Sequence, residues 1–253
     1  KATLTMIPGD MLQDATLMVG AYPRRDSGQI GPQLNLTLRE GSRTASRVSL
    51  AVSGTVTTFA AEGPLGRSAR GSWLIGARKS HVEWPVGRSD HESTVFGFSD
   101  VQSKLAYDLR PGQQVSLSLV AGLSNVERDD PTPLALLDGL NRAGMAVLAW
   151  RSVIGLHTVV TQRISSLGHT FVNRDQTEAV ASRGTNGAYG YRVDLARAFA
   201  GGLVEAGGTV RRVHGSREGL GTTFDSSASW LERSVYASFR RAVTSGVTLA
   251  TGF

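Results

Sequence analysis

Histidine is the first residue type to consider, because imidazole binds zinc and exchanges protons near neutral pH. The chain has five histidines, none spaced four residues from another: His81, His91, His157, His169 and His214. A zinc site needs three or four convergent ligands, which here would require loops to bring His91, His169 and His214 together. The scattered spacing therefore predicts no metal site.

Groups suited to catalysis are also sparse. Asp129 and Asp130 could form a paired carboxylate or contact calcium, but a solvated loop tip is the simpler interpretation. The chain has no Cys, and none of its serines sits in a nucleophile elbow. We predict no catalytic, cofactor-binding or metal-binding residue, so the chain is not expected to be an enzyme, and the substrate-binding residues stay unassigned.

The net charge of +6 raises the question of nucleic-acid binding. A basic footprint should cluster on one face or along one helix. Here the arginines are spread along the chain, with no dense Lys/Arg block and no interleaved aromatic residues. We therefore expect no nucleic-acid partner.

Turns recur along the chain in a regular alternation of short and long. Short polar turns are predicted at 66–71, 110–113, 155–157, 201–202 and 245–246. Longer irregular stretches are predicted at 86–97, 127–143, 167–186 and 214–227. Gly63–Gly71 does not form a phosphate-binding loop, because Pro64 is present and no helix follows. Bacterial outer-membrane β-barrels alternate short periplasmic turns with long extracellular loops in this way.

Between the turns, apolar residues recur at every second position, as expected for β-strands. In 99–109, Val101 and Leu105 share one parity and Asp100 and Lys104 the other. The segments 114–124, 188–197 and 230–241 alternate similarly, and 46–62 is predicted to be one long strand. Leu134–Ala146 has helix-like spacing interrupted by glycines and is predicted to be a structured loop. No apolar run approaches the roughly 18 residues of a transmembrane helix.

A membrane-spanning sheet would divide its side chains between lipid and interior. Charged residues that we expect to face the interior are Arg78, Lys104, Asp108, Arg192 and Asp194. Residues that could form aromatic girdles at the bilayer interfaces are Trp73, Trp84, Trp150, Trp230, Tyr107 and Tyr236. The alternative for these aromatic residues is ordinary packing in the core of a soluble β-sandwich.

Several segments, in order, resemble TonB-dependent outer-membrane receptors of the type with a carboxypeptidase-regulatory-like N-terminal domain. The first are AYPRR at 21–25 and LTLREG at 36–41, followed by EGPLG at 62–66 and GSWLIGARKS at 71–80. The segment FSDVQSKLAYDL at 98–109 is similar to the third barrel strand of such receptors, and 230–253 to a later strand pair. The resemblance covers most of the chain and is loose between 127 and 186.

This resemblance implies an all-β fold with residues 1–43 as the C-terminal part of a plug domain. Residues 44–253 would then form an antiparallel transmembrane β-barrel that is partial, with about ten strands, because the family barrel has twenty-two. The expected function is uptake of a scarce ligand across the outer membrane of a Gram-negative bacterium. The ligand would be an iron chelate, a cobalamin-like cofactor or a glycan. The expected partners are outer-membrane lipid and the TonB energy-transducing complex, the latter through a missing N-terminal segment.

Two other interpretations stay open. One is a small intact outer-membrane barrel, either a porin-like pore or an outer-membrane protease. A protease would need acidic and His residues at the extracellular rim, where Asp129, Asp130, His91 and His169 are candidates. The other is a soluble all-β binding protein, which would stay monodisperse without detergent.

Overall fold

The computed structural model describes residues 9–19, 32–66, 68–81, 94–128, 138–219, 226–244 and 247–252. Nearly all of these residues belong to β-strands, and a short 3-10 turn at Gly9–Met11 precedes the first strand. Among the residues so described, no helix has the length and apolar character needed to cross a membrane.

Two antiparallel sheets contain all the strands in the described part of the chain. The smaller is a hairpin of β1 (Leu12–Met18) and β2 (Gln33–Leu38). The larger has eleven strands paired in chain order. They are β3 (Arg47–Val52), β4 (Val56–Pro64), β5 (Gly71–Ser80), β6 (Thr94–Arg110), β7 (Gln113–Arg128), β8 (Asp138–Ile154), β9 (Thr158–Arg174), β10 (Val180–Phe199), β11 (Gly202–Gly219), β12 (Ser226–Thr244) and β13 (Val247–Gly252). The expected all-β antiparallel architecture is therefore confirmed.

The strands in the middle of the large sheet are unusually long. β7 has 16 residues and β10 has 20, whereas strands in globular proteins are most often about 5–6 residues long. β3 and β13 form the two edges of the sheet, and no backbone pairing joins them among the described residues.

Short turns connect the strands at one end of the sheet, at the predicted positions. Gly112, Gly155 and Gly201 have φ values of 76°, 62° and 75°, in the left-handed region that glycine adopts without steric cost. They close the β6–β7, β8–β9 and β10–β11 connections. Of the other predicted turns, 245–246 lies outside the described residues, while 66–71 matches the β4–β5 connection.

The prediction of one long strand over 46–62 is wrong. The segment is a hairpin, in which β3 and β4 reverse direction around 53–55. The Ser53 backbone N–H donates to the Val56 carbonyl oxygen at 2.9 Å, and the Val56 N–H donates to Ser53 Oγ at 3.0 Å. The apolar alternation continued through the turn in the sequence and concealed it, although Ser53 and Gly54 favour a turn.

The predicted irregular stretch at 167–186 is also wrong. β9 continues to Arg174 and β10 begins at Val180, so only 175–179 forms a turn. Asp175 Oδ1 accepts hydrogen bonds from the Thr177 hydroxyl at 2.7 Å and from the Ala179 backbone N–H at 3.2 Å. The hydrogen bonds from Thr177 lower the pKa of the Asp175 carboxyl.

The structured loop predicted at Leu134–Ala146 is wrong from residue 138 onward, where β8 begins. The predicted irregular stretches at 127–143 and 214–227 likewise shorten, because β7 runs to Arg128, β11 to Gly219, and β12 begins at Ser226. Glycine and polar residues indicated loops in the sequence, but long paired strands accommodate them because each backbone group has a ladder partner. Residues 129–137 and 220–225, and most of the predicted stretch 86–97, lie outside the described residues.

The β1–β2 hairpin lies on one face of the large sheet, which we call the inner face. The opposite face is the outer face. Strand register assigns each residue to a face: Leu105 on β6 pairs with Leu117 on β7, and the same row continues through Leu148, Ile164, Tyr191 and Val210 on β8 to β11. This row lies on the outer face, and its neighbours one residue along each strand lie on the inner face.

Candidate functional site

The outer face carries large apolar side chains that are exposed. Leu105 is 40% exposed, Ile164 57% and Val235 75%. Register places many further exposed apolar residues on the same face. They are Val48, Leu50, Val52, Phe59, Ile75, Val101, Leu119, Leu123, Leu148, Trp150, Tyr189, Tyr191, Leu195, Val210 and Leu231. A face with this many exposed apolar side chains is typical of a surface that contacts a membrane or another protein.

The inner face has the opposite composition near the hairpin. Its most deeply buried positions on β5 and β6 include polar side chains: Ser72 and Gln102 are 0% exposed and Asp100 is 7% exposed. The charged residues expected to face the interior share this face, namely Arg78, Lys104, Asp108, Arg192 and Asp194. Three apolar residues depart from the pattern, because Met145 and Val153 on β8 and Leu167 on β9 lie on the inner face and are exposed.

Arg78 and Asp100 form the most buried ion pair of the described residues, across β5 and β6. Arg78 Nη2 donates to Asp100 Oδ2 at 2.7 Å, with side-chain exposures of 14% and 3%. Gln102 Nε2 donates to the other carboxylate oxygen of Asp100 at 2.6 Å. The Arg78 guanidinium also lies 4.8 Å from the centre of the Phe98 ring. The carboxylate is therefore satisfied on both oxygens, as a buried charge must be.

The hairpin reaches the sheet through a small apolar cluster. Met11, just before β1, and Leu38, at the end of β2, pack with Leu74 and Val120 of the sheet. Gly76 makes this approach possible, because a Cβ there would lie 2.1 Å from Met11 Sδ. Lys104 adds a polar contact, since its Nζ donates to the Leu38 carbonyl oxygen at 2.6 Å.

Ion pairs join the segment after β2 to the same face. Arg39 Nη1 donates to Glu62 Oε2 at 2.6 Å, and Arg39 Nε donates to the Asp10 carbonyl oxygen at 2.7 Å. Arg43 pairs with Asp108 of β6 and, at 3.0 Å, with Glu40. The hydrogen bond to Asp108 raises the pKa of the Arg43 guanidinium. This group of contacts, the hairpin clamp, holds the hairpin by charge as well as by apolar packing.

A second charged cluster lies on the inner face of β9 to β12, away from the hairpin contacts. Asp194 accepts hydrogen bonds from Arg163 at 2.6 Å, from Arg192 at 2.9 Å and from the Tyr236 hydroxyl at 2.8 Å. The Asp194 side chain is 20% exposed and that of Arg163 45%. Asp194 thus gathers two guanidinium groups and a phenol hydroxyl on one partly exposed carboxylate, and such a surface suits a polar ligand.

The four histidines that the structure describes do not come together. Register places His169 on the inner face and His214 on the outer face, where the His214 ring stacks on Tyr189 with centroids 6.0 Å apart. His81 shares a 2.6 Å hydrogen bond with Thr57 Oγ1, and His157 lies in an exposed turn. No cluster of three metal-ligating residues occurs in the part of the chain that the structure describes. His91, Asp129 and Asp130 lie outside it.

The proposed aromatic girdles are only partly in position. Trp73, Tyr107 and Trp150 lie on the outer face, but register places Trp230 and Tyr236 on the inner face. Both inner residues bind carboxylates: Trp230 Nε1 donates to Glu232 at 2.8 Å, and Tyr236 to Asp194. Their assignment to a lipid-facing girdle is therefore wrong, and Trp84 lies outside the described residues.

Two further aromatic residues, not predicted from the sequence as interface residues, lie on the outer face near the short turns. The rings of Phe199 on β10 and Phe239 on β12 stack there, with centroids 5.7 Å apart. Their period-two positions were visible in the sequence. The strand register that brings them to the same level was not.

No protein-family model matches the chain, and no curated protein matches it. Function therefore has to be inferred from the two faces of the sheet and from the hairpin that lies on one of them.

Proposed function

We propose that the chain is part of an outer-membrane receptor that takes up a scarce ligand with energy from the TonB complex. The observation that carries the proposal is the inverted arrangement of the long sheet, with an exposed apolar outer face and a polar, charged inner face. In water the opposite arrangement minimises exposed apolar area. In a bilayer, apolar side chains face lipid and charged side chains face the interior.

Strand length supports the same environment. A strand tilted by about 45° crosses the hydrocarbon layer in about 9–11 residues. β6 to β12 exceed this length, and the excess would extend beyond the bilayer as hairpin ends. A closed strand arrangement also satisfies backbone N–H and C=O groups where no water is available. Under this proposal, β3 and β13 pair with further strands or with each other.

The β1–β2 hairpin is then the end of a plug domain formed by residues 1–43. The hairpin is held on the sheet by the apolar contact of Met11 with Leu74 and by the ion pairs Arg39–Glu62 and Arg43–Asp108. Charged contacts suit a domain that must later move, because they exchange readily for water. The Asp194 cluster offers a polar surface for the ligand, which would be an iron chelate, a cobalamin-like cofactor or a glycan.

Spin-label accessibility in bilayers tests the orientation. The chain has no Cys, so single Cys residues can be introduced for labelling without other changes. Labels at 101, 105 and 109 should be reached by oxygen dissolved in lipid and shielded from a water-soluble relaxant. Matched labels at 100, 102 and 104 on the same strand should show less oxygen access.

Equal accessibility of both rows would contradict the membrane proposal. If the rows differ as expected, cross-linking of Cys pairs between β3 and β13 separates the two membrane alternatives. Efficient cross-linking within one chain would indicate the small intact barrel, whereas its absence agrees with a partial receptor barrel.

A further inference from the structure

Arg212 and Arg233 interrupt the apolar outer face of β11 and β12 in the part of these strands away from the short turns, whereas Arg241 on the same face lies near a short turn. Arg212 pairs with Leu231, and Val210 pairs with Arg233, so register places both arginines on the outer face with Leu231 and Val210. Diagonal neighbours of this kind are about 7–8 Å apart. The two cations therefore form a pair within a face that is otherwise mostly apolar.

Neither arginine has a carboxylate partner among the described residues. Arg212 Nε donates to Ser229 Oγ at 3.4 Å, and no ion pair involves Arg212 or Arg233 within those residues. Arg183 and Arg174, also on the outer face, do have carboxylate partners, Glu218 at 2.5 Å and Asp138 at 3.9 Å. Arg142, Arg197 and Arg241 resemble Arg212 and Arg233 in forming no ion pair among the described residues, but register pairs none of these three with a residue next to another outer-face arginine. Two adjacent cations repel each other, so an anion from outside the sheet would stabilise this pair.

An apolar groove of about 420 Å³ lies beside Arg212 on the outer face. Its walls include Leu148, Ile164, Tyr191, Val210 and Leu231, and Arg212 stands among them. Tyr189, directly opposite Arg212 on β10, also lines the groove. An acyl chain fits such a surface, while Tyr and Arg side chains are typical of the level of the headgroups.

The positions of the arginines along their strands agree with that level. Arg212 and Arg233 both lie on the half of their strand that leads to 220–225, away from the short turn at 200–201. A tilted strand crosses the hydrocarbon in about 9–11 residues, which brings Arg212 on β11 to the far boundary. Because short turns are periplasmic in bacterial barrels, that boundary belongs to the outer leaflet.

We propose that Arg212 and Arg233 bind the phosphate-bearing headgroup of a lipid in the outer leaflet, whose acyl chain lies in the adjacent groove. This site rests on the proposed membrane function and is separate from the ligand surface on the inner face. Two arginines offer bidentate hydrogen bonds to phosphate oxygens, and the lipid phosphate supplies the negative charge that the pair lacks.

The test uses the full chain refolded into nanodiscs of zwitterionic phosphatidylcholine that contain a small fraction of diphosphoryl lipid A. After exchange into detergent, the lipid A that remains bound is quantified by native mass spectrometry. The variant R212Q/R233Q should retain lipid A about thirty-fold more weakly. Each arginine at the membrane surface contributes about 1 kcal/mol of binding free energy, and about 1.4 kcal/mol corresponds to a tenfold change in affinity. Lipid A without its phosphates should bind the unaltered chain as weakly as intact lipid A binds R212Q/R233Q.

The matched control is R197Q/R241Q, which removes the same charge from the outer face near the short turns. It should retain lipid A as the unaltered chain does. The lipid site would be overturned if R212Q/R233Q retained as much lipid A as the unaltered chain, or if the control lost as much as R212Q/R233Q. In either case, insertion of the chain into the nanodisc would leave the membrane proposal intact. If the unaltered chain itself fails to insert, the membrane proposal fails, and the lipid site with it.

Discussion

Met11 places its sulfur directly over Gly76 of β5, where a Cβ atom would lie 2.1 Å from Sδ. The hairpin can therefore settle on the inner face only while position 76 has no side chain. Met11 is 1% exposed as a result. Apolar packing at this one point and the ion pairs of the hairpin clamp together position the N-terminal hairpin.

The substitution Gly76→Ala should loosen the hairpin from the sheet. Overpacking of a close contact costs about 1–3 kcal/mol, so amide hydrogens of β1 and β2 should exchange faster while those of β8 to β11 stay protected. Gly168→Ala is the control, because a Cβ at Gly168 meets nothing within 4 Å. Unchanged exchange in Gly76→Ala would contradict the role given to Met11.

Leu105→Arg should destabilise the chain in a bilayer by about 2–4 kcal/mol if residue 105 lies near the midplane. Lys104→Leu on the same strand should cost less, because in the proposed orientation residue 104 faces away from lipid and the variant loses chiefly the hydrogen bond to the Leu38 carbonyl. Equilibrium refolding into lipid vesicles over a urea series measures both. A larger cost for Lys104→Leu would mean that the two faces are assigned the wrong way round.

Arg78→Ala should be among the most damaging single changes on the inner face. It leaves the Asp100 carboxylate, which is 3% exposed, buried without its cation, at a cost of about 3–5 kcal/mol. The double variant R78Q/D100N should lose less than the sum of R78Q and D100N, because it removes both charges. Additive losses in denaturant unfolding would show that the two residues are not coupled.

The turn at 175–179 should weaken in acid. Hydrogen bonds from Thr177 lower the pKa of Asp175 in the folded chain, so the carboxylate stabilises the turn above the ordinary aspartate pKa of about 3.9. That contribution is lost as the pH falls through the lowered pKa of the folded state. Amide exchange at Thr177 and Ala179, corrected for intrinsic rates, should rise over this interval. In Asp175→Ala it should be fast at every pH, and a surviving pH dependence would implicate another group.

The alternation of apolar and polar residues was enough to predict which side chains share a face of each long strand. Successive side chains of a strand point to opposite faces, and pairing with neighbouring strands preserves this order. Val101 and Leu105 came out opposite Asp100 and Lys104, as predicted. The same rule failed where alternation ran through a reversal, at Ser53 and Gly54. Alternation describes a face only as long as the strand continues.

Long-range relationships were not predictable from the sequence. Trp230 and Tyr236 were predicted to belong to aromatic girdles, but both lie on the inner face, where they bind Glu232 and Asp194. Phe171 on β9 covers Gly184 of β10, where a Cβ would lie 2.4 Å from the ring, so a glycine that seemed to indicate a loop is a packing site within a strand. The Trp230–Glu232 contact follows from alternation within β12, whereas the contacts of Tyr236 with Asp194 and of Phe171 with Gly184 depend on register between strands, which no local pattern encodes.

Because the strands of the large sheet are paired in chain order, the sheet behaves as a nearly one-dimensional array. Within this sheet, each strand forms backbone hydrogen bonds only with the strands just before and just after it in the sequence. Disruption of β12 therefore affects β11 and β13 directly, and the other strands only through β11 and β13. Assembly can then proceed hairpin by hairpin, and each addition closes a short loop at small entropic cost. The same arrangement allows a sheet to grow or shrink by whole hairpins during evolution while the remaining strands keep their partners.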